Sequence, residues 1–343
     1  MGALHTYGFL NAKVRAMRSN LLLSNQYKAL SAAHDFRDLI QLLSQYGYEA
    51  RIEEMGHPDP ERLEMALRSE EVRRLQLIHA KSSRPLSNVF HHILEKFEAE
   101  RLKWVLRFWF QKRGETNAFL LDPILYLVPA YEILDAPTLD DVIGLLEKHP
   151  FRDALVDARP EFEAKKSLFP FELAIDREQI RRFFESVKRM NRRDRRICHE
   201  LAGIEIDLEN LGWIERFRQY YQMSSADILT RLLPGGNRLS EDQLRQIVSD
   251  GNPGSVLTKW AKDIPIPAQG APNEPFTIQN LELFLKHVLF QRARKAFMEF
   301  PFSVGAIMGY HLLLRIEMMN LRTLIQSKVY GLGADEIESR LIY

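Results

Sequence analysis

Cysteine is nearly absent: Cys198 is the one thiol in 343 residues. That excludes an intrachain disulfide framework and a multi-cysteine zinc site. An excess of one charge is missing too. Lys and Arg number 47, Asp and Glu 46, and the formal net charge is +1. Sequence-wide attraction to nucleic acid needs a clear basic excess, so no nucleic-acid partner is expected. Long apolar runs are also lacking. The longest uncharged stretch, Phe300 to Leu314, has 15 residues, whereas a membrane span needs about 20. Membrane association must then come through a partner or through surface contact. The opening residues carry charge too early for a secretory core. MGALHT does fit the short myristoylation pattern, with Gly2 and Thr6.

Glycine and proline are scarce, at 17 and 16, and they cluster. Long helices can form between the clusters. Hydrophobic residues at 45% and charged residues at 27% suit a folded protein with two or three domains. Leu39, Leu42, Leu43 and Tyr46 fall at helical spacing, as do Leu102, Val105, Leu106 and Trp109. Leu321, Leu324, Ile325 and Lys328 repeat the pattern with a charge closing it. The best β candidate is the short stretch Tyr48 to Ile52. Breakers are expected at Gly56–Pro60, Pro123, Pro129, Pro160, Pro234-Gly235-Gly236 and Asn252-Pro253-Gly254. Ile264–Pro275, with four prolines, reads as an irregular loop.

The most informative feature is a long-period repeat. A motif of an acidic residue, two arbitrary residues, Asn or Arg, Leu, two more residues and an aliphatic occurs three times. The copies are Glu98-x-x-Arg101-Leu102, Asp207-x-x-Asn210-Leu211 and Glu317-x-x-Asn320-Leu321, spaced by 109 and 110 residues. A second marker begins at Asp35, Thr138 and Ser240, spaced by 103 and 102. Each copy opens with a side chain able to accept from an orphan amide at a helix start. A third marker matches Ala226–Leu233 with Asp335–Ile342, and Leu127-Val128-Pro129 stands opposite Leu232-Leu233-Pro234. Three markers in fixed order predict three related all-helical units, 1–129, 130–236 and 237–343. The acidic-x-x-Asn spacing places both polar groups on one helix face. Such a pair suits a clamp across a domain seam, or a surface that receives a partner.

Chemistry sought elsewhere is not found. His199-Glu200 begins like a zinc protease motif, but Gly203 stands at the second histidine. His91 and His92 are adjacent, so they are expected to diverge and make a poor metal pair. Leu232–Gly236 lacks the Lys-Ser/Thr of a phosphate loop and reads as a helix stop. Asp140-Asp141 follows Thr138, where carboxylates suit the helix dipole. Arg192–Arg196 is a local basic run, read as a solvated face or a contact to an acidic surface. No catalytic, cofactor or metal residue is assigned.

Gly309–Ile342 resembles the C-terminal motif of the C subunit of bacterial and archaeal vacuolar-type ATPases, which is related to the eukaryotic d subunit. The matching residues are Gly309-Tyr310, Leu312–Leu314, Arg315, Glu317, Asn320-Leu321-Arg322, Lys328, Gly331-Leu332, Glu336-Ile337 and Leu341. Val14–Leu30, Glu205–Leu211 and Leu232–Gly236 are similar to other parts of that family. Ile316 and Met319 stand where the family often carries charge, and Arg101 replaces Asn. The resemblance implies an all-α funnel of three similar helical bundles around a pseudo-threefold axis. It also implies a non-catalytic, cytoplasmic central-stalk protein without cofactor, a monomer when isolated. Its partners would be the rotating shaft subunits and the proteolipid ring, so that it is peripheral to the membrane. The alternative is a free-standing helical adaptor. Glu98, Arg101, Asp207, Asn210, Arg315, Glu317, Asn320 and Arg322 are the candidate seam or partner residues.

Overall fold

The computed structural model describes residues 3–53, 59–112, 124–126, 128–219, 221–250 and 278–343. Gly2, Gly56, Pro58, Pro123, Leu127, Asn252-Pro253-Gly254 and the stretch 264–275 lie outside them. Every regular element among the described residues is helical, as the period predicts. In chain order they are α1 (Ala3–Arg18), α2 (Ser24–Ser31), α3 (Phe36–Leu43), a kinked turn (Ser44–Tyr48) in which Gly47 takes a φ of +95°, α4 (Glu49–Glu53), α5 (Pro60–His79) and α6 (Leu86–Gln111). Then follow α7 (Ala130–Asp135), α8 (Leu139–Leu145), α9 (Arg152–Lys165), α10 (Phe169–Val187) and α11 (Arg192–Gln219). The last are α12 (Ser225–Arg231), α13 (Glu241–Asp250), α14 (Ile278–Met298), α15 (Gly305–Val329) and α16 (Ala334–Glu338).

Packing divides the chain into two compact units: residues 1–71 with 192–343, and residues 72–191. In the first, α15 is the central post. α14, α11, α1 and α3 all pack on it. Its residues Ala306 to Leu314 are buried, so the greater part of the longest uncharged stretch serves a core. No helix among the described residues is long and apolar enough to cross a membrane. α14 lies close against α15 because Gly305 and Gly309 leave room. A Cβ on Gly309 would stand 2.6 Å from the Ala293 carbonyl oxygen, and one on Gly305 2.8 Å from that of Ala296.

The second unit wraps α6 with α7 and α10, and α9 packs on α10. Leu102, Val105 and Leu106 from α6 meet Val142, Leu146, Phe151 and Leu155 in its core. Phe162 stacks on Phe171 with ring centroids 4.4 Å apart. Trp109 keeps its indole at the edge and donates Nε1 to the Ala136 carbonyl at 2.9 Å.

Helix starts sit where the sequence places them. Asp35 accepts from the amides of Arg37 and Asp38, at 2.8 and 3.0 Å, to start α3. Thr138 accepts from Asp141 N at 3.3 Å while Asp141 accepts from Thr138 N at 3.1 Å. Ser240 and Gln243 exchange the same pair of bonds, at 3.3 and 3.0 Å. These reciprocal bonds satisfy amides that have no partner within the helix.

Two local expectations are corrected. Tyr48 to Ile52 is helical, because Tyr48 and Ile52 are one turn apart and both face inward. Pro160 lies inside α9 and does not end it. The carbonyl it cannot pair belongs to exposed Val156, where water can serve it. Buried Leu155 and Phe162 on either side hold the helix together.

Candidate functional site

The three copies of the acidic motif lie on the three long helices α6, α11 and α15, and their acidic residues are buried. Burying a carboxylate is costly unless donors meet it. Each of the three is met by donors from a distant stretch of its own unit. Asp207 Oδ2 accepts from three successive amides, those of Asn237, Arg238 and Leu239, at 3.0, 2.5 and 3.2 Å. Glu98 faces three successive amides in the same manner, from Ile124, Leu125 and Tyr126, with Leu125 N 3.4 Å from Oε2. Successive amides pointing one way make a concave anion nest, and here the anion is internal. Glu317 takes Leu22 N on Oε2 at 2.5 Å and the Tyr48 hydroxyl on Oε1 at 2.6 Å. Leu125 and Leu22 each lie 13 residues before the capping residue of the next marked helix, Thr138 and Asp35.

Burial and amides oppose each other in these carboxyls. Burial dominates at Asp207 and pushes its pKa up to about 6 against the three amides. It also raises that of Glu98, which Arg101 and the amides partly offset.

The asparagines act on backbone. Asn210 donates Nδ2 to the Leu233 carbonyl at 3.0 Å and accepts Leu233 N–H on Oδ1 at 2.7 Å. Asn320 does the same to Ile342, at 2.7 and 3.0 Å. Leu233 and Ile342 are the residues that the third marker aligns. The first copy differs. An Arg in place of Asn cannot accept a backbone N–H. Arg101 leaves Nε and Nη1 buried with no hydrogen-bond partner among the described residues.

The two remaining candidates sit outside this pattern. Arg315 pairs with Glu205 at 3.1 Å. Arg322 is exposed and pairs with Glu64 at 3.4 Å. Lys328, which closes the apolar set of α15, donates to the carbonyls of Ser31 and Ala33 at 2.7 and 2.6 Å, capping the end of α2.

Other sequence features find a packing role. Gly203 is close to the chain: a Cβ there would meet Asn237 Cβ at 2.5 Å. A Cβ on Gly236 would run into Asp207 Oδ1, and Gly235 takes a φ of +95°. The motif Leu232–Gly236 thus ends α12 and shapes the turn into the Asp207 nest. Within the basic run, Asp194 points inward. It accepts the Tyr7 hydroxyl at 2.6 Å and Val304 N at 2.9 Å. The neighbouring Arg192, Arg193, Arg195 and Arg196 are exposed. The expected divergence of His91 and His92 is corrected. Both turn toward Glu95, and the donor atoms of the three lie within 4.8 Å of one another. Sequence reasoning missed Glu95, because Arg182 and Tyr126 reach it from distant stretches and the rings of His91 and His92 bend back to it along α6.

The family model described as ATP synthase (C/AC39) subunit matches residues 10–340. The chain is 23% identical to the C subunit of the A-type ATP synthase of Methanocaldococcus jannaschii, over 99% of this chain and 87% of that protein. It is 21% identical to the same protein of Archaeoglobus fulgidus, over 98% and 96% of the two chains. The corresponding protein of Halorubrum lacusprofundi is 24% identical over 97% of each. A family match across almost the whole chain leads to one conclusion: the chain belongs to the ATP synthase (C/AC39) subunit family, as a non-catalytic subunit of the V/A-type ATPase complex.

Proposed function

We propose that the protein couples the rotating central shaft of the ATPase to the proteolipid ring. The observation that carries this reading is the set of buried carboxylate and amide clamps on α6, α11 and α15. A torque-bearing joint must not yield where one helical segment meets the next. Side chains that bind backbone across distant segments resist such sliding, and dense helical cores transmit strain. On this reading Asp207 and Glu317 bind across the seams of three related units, 1–129, 130–236 and 237–343, while Glu98, Arg101, Asn210 and Asn320 stiffen each unit from within. Arg315 and Arg322 belong to the same seams. Contacts to shaft and ring are then spread over the outer surface, on the cytoplasmic side, where several modest contacts add by avidity. The isolated protein is a monomer.

The test is reconstitution. Membranes stripped of this protein should lose ATP-driven ion transport, and adding the pure chain should restore it. The pure chain should also retain the shaft and ring proteins in a pull-down. Restored transport without any contact to shaft or ring would overturn the coupling role.

A further inference from the structure

A second polar cluster, on α6 in the unit formed by residues 72–191, lies beside the Glu98 clamp and shares Tyr126 with it. Glu95 is fully buried. His92 Nδ1 lies 2.5 Å from its Oε2. Arg182 of α10 brings Nε to 3.1 Å from both carboxylate oxygens and Nη2 to 2.7 Å from Oε1. The Tyr126 hydroxyl donates to Oε1 at 3.1 Å and stands 2.9 Å from His91 Nε2. Two further rings extend the cluster. His79 of α5 has its centroid 5.9 Å from that of His91, and His149, just before α9, is 5.5 Å from Tyr126.

The hydrogen positions follow from donor and acceptor chemistry. A carboxylate only accepts, so His92 Nδ1 carries a hydrogen. Tyr126 gives its one hydrogen to Glu95, so His91 Nε2 must donate to the Tyr126 oxygen. On His91 the atom left to take a proton is Nδ1. With neutral rings the charges cancel, Glu95 against Arg182. Two neighbouring acids are committed: Glu178 binds Arg181 through two bonds of 2.7 Å, and Glu98 faces Arg101 and the 124–126 amides. Any proton taken up therefore leaves a net positive charge beside a guanidinium. A divalent metal would meet the same surplus, and Arg182 Nε already sits between the two oxygens it would need.

We propose that this cluster is a proton-operated latch, which holds residues 124–126 against α6 near neutral pH and loosens when its rings take protons from solvent. Burial holds His79 and His91 below the ordinary histidine range and brings His149 down to about 4. Burial alone would raise Glu95, but its bonds to His92 and Arg182 bring it to about 2, so it stays ionised throughout. The sign follows. A ring whose pKa is depressed on folding stabilises the fold above its unfolded value of 6.5, and that contribution is lost as pH falls below it. Tyr126 feels the change first, since it bonds to both Glu95 and His91, and Leu125 follows as its chain neighbour.

Backbone hydrogen exchange on the full-length protein tests this. Corrected for intrinsic rates, exchange at Leu125 and Tyr126 should rise roughly tenfold between about pH 7.5 and about pH 5.5. The amides of Leu233 and Ile342, held by uncharged Asn210 and Asn320, should show no such rise. His91→Gln together with His149→Gln should flatten the response. If that variant fails to fold, ring-carbon NMR titration of the wild type supplies the second measurement. Its His91 and His149 midpoints should both fall below 6.5. Equal pH dependence at all four amides, or an unchanged response in the double variant, would overturn the proposal.

Discussion

Asn210 grips Leu233 through both of that residue's backbone groups, donating to its carbonyl at 3.0 Å and accepting its N–H at 2.7 Å. Asn320 repeats the grip on Ile342. Alanine at either position strands a buried N–H and a buried carbonyl. Asn210→Ala or Asn320→Ala should each cost roughly 3 kcal/mol, read by denaturant titration. Aspartate is the sharper probe, since it keeps the acceptor and loses the donor. A melting temperature unchanged in Asn320→Ala would remove the clamp role.

Close helix approach gives a second expectation. Gly309→Ala drives a methyl to 2.6 Å from the Ala293 carbonyl oxygen and 2.8 Å from Phe297 N. Both are backbone atoms of a packed helix and cannot swing away. The variant should lose about 2 kcal/mol or more, by thermal or chemical denaturation. Gly212→Ala, in α11 with open space around it, should be neutral or slightly stabilising.

Asp207 sets a pH dependence of its own. Its folded pKa, about 6, lies above the ordinary 3.8. The folded state thus holds this proton more tightly than the unfolded chain does. The resulting stability is full below about pH 4 and is lost as pH rises through about 6. Asp207→Asn should remove that slope, seen as convergence of the two melting curves at acid pH and divergence near neutrality.

Arg182 neutralises the fully buried Glu95. Arg182→Met leaves that carboxylate without its guanidinium and should cost about 3 kcal/mol. The same change should raise the Glu95 pKa, observable by carbonyl-carbon NMR.

Local chemistry was legible in the sequence, and long-range pairing was not. Asp35, Thr138 and Ser240 cap helices because capping depends on residues within one turn. The motif spacing likewise placed acid and amide on one face. What those groups would grip could not be read, since Glu317 binds Leu22 and Tyr48, 295 and 269 residues away. No spacing rule reaches that far. His91 and His92 misled for another reason. Their Cβ atoms diverge, but they lie four and three residues before Glu95, so both rings can bend back to it. Pro160 misled because the cost of a helical proline depends on whether water reaches the orphaned carbonyl, and exposure is a tertiary property.

The bond from Leu22 to Glu317 also orders events on the ribosome. Residues 72–191 form a compact unit from one continuous stretch and can fold while synthesis proceeds. The opening segment cannot complete its own unit until the helix bearing Glu317 has emerged, 295 residues later. During that wait its apolar faces stay uncovered. Nascent chains stalled before α15 should therefore be the ones that chaperones hold longest.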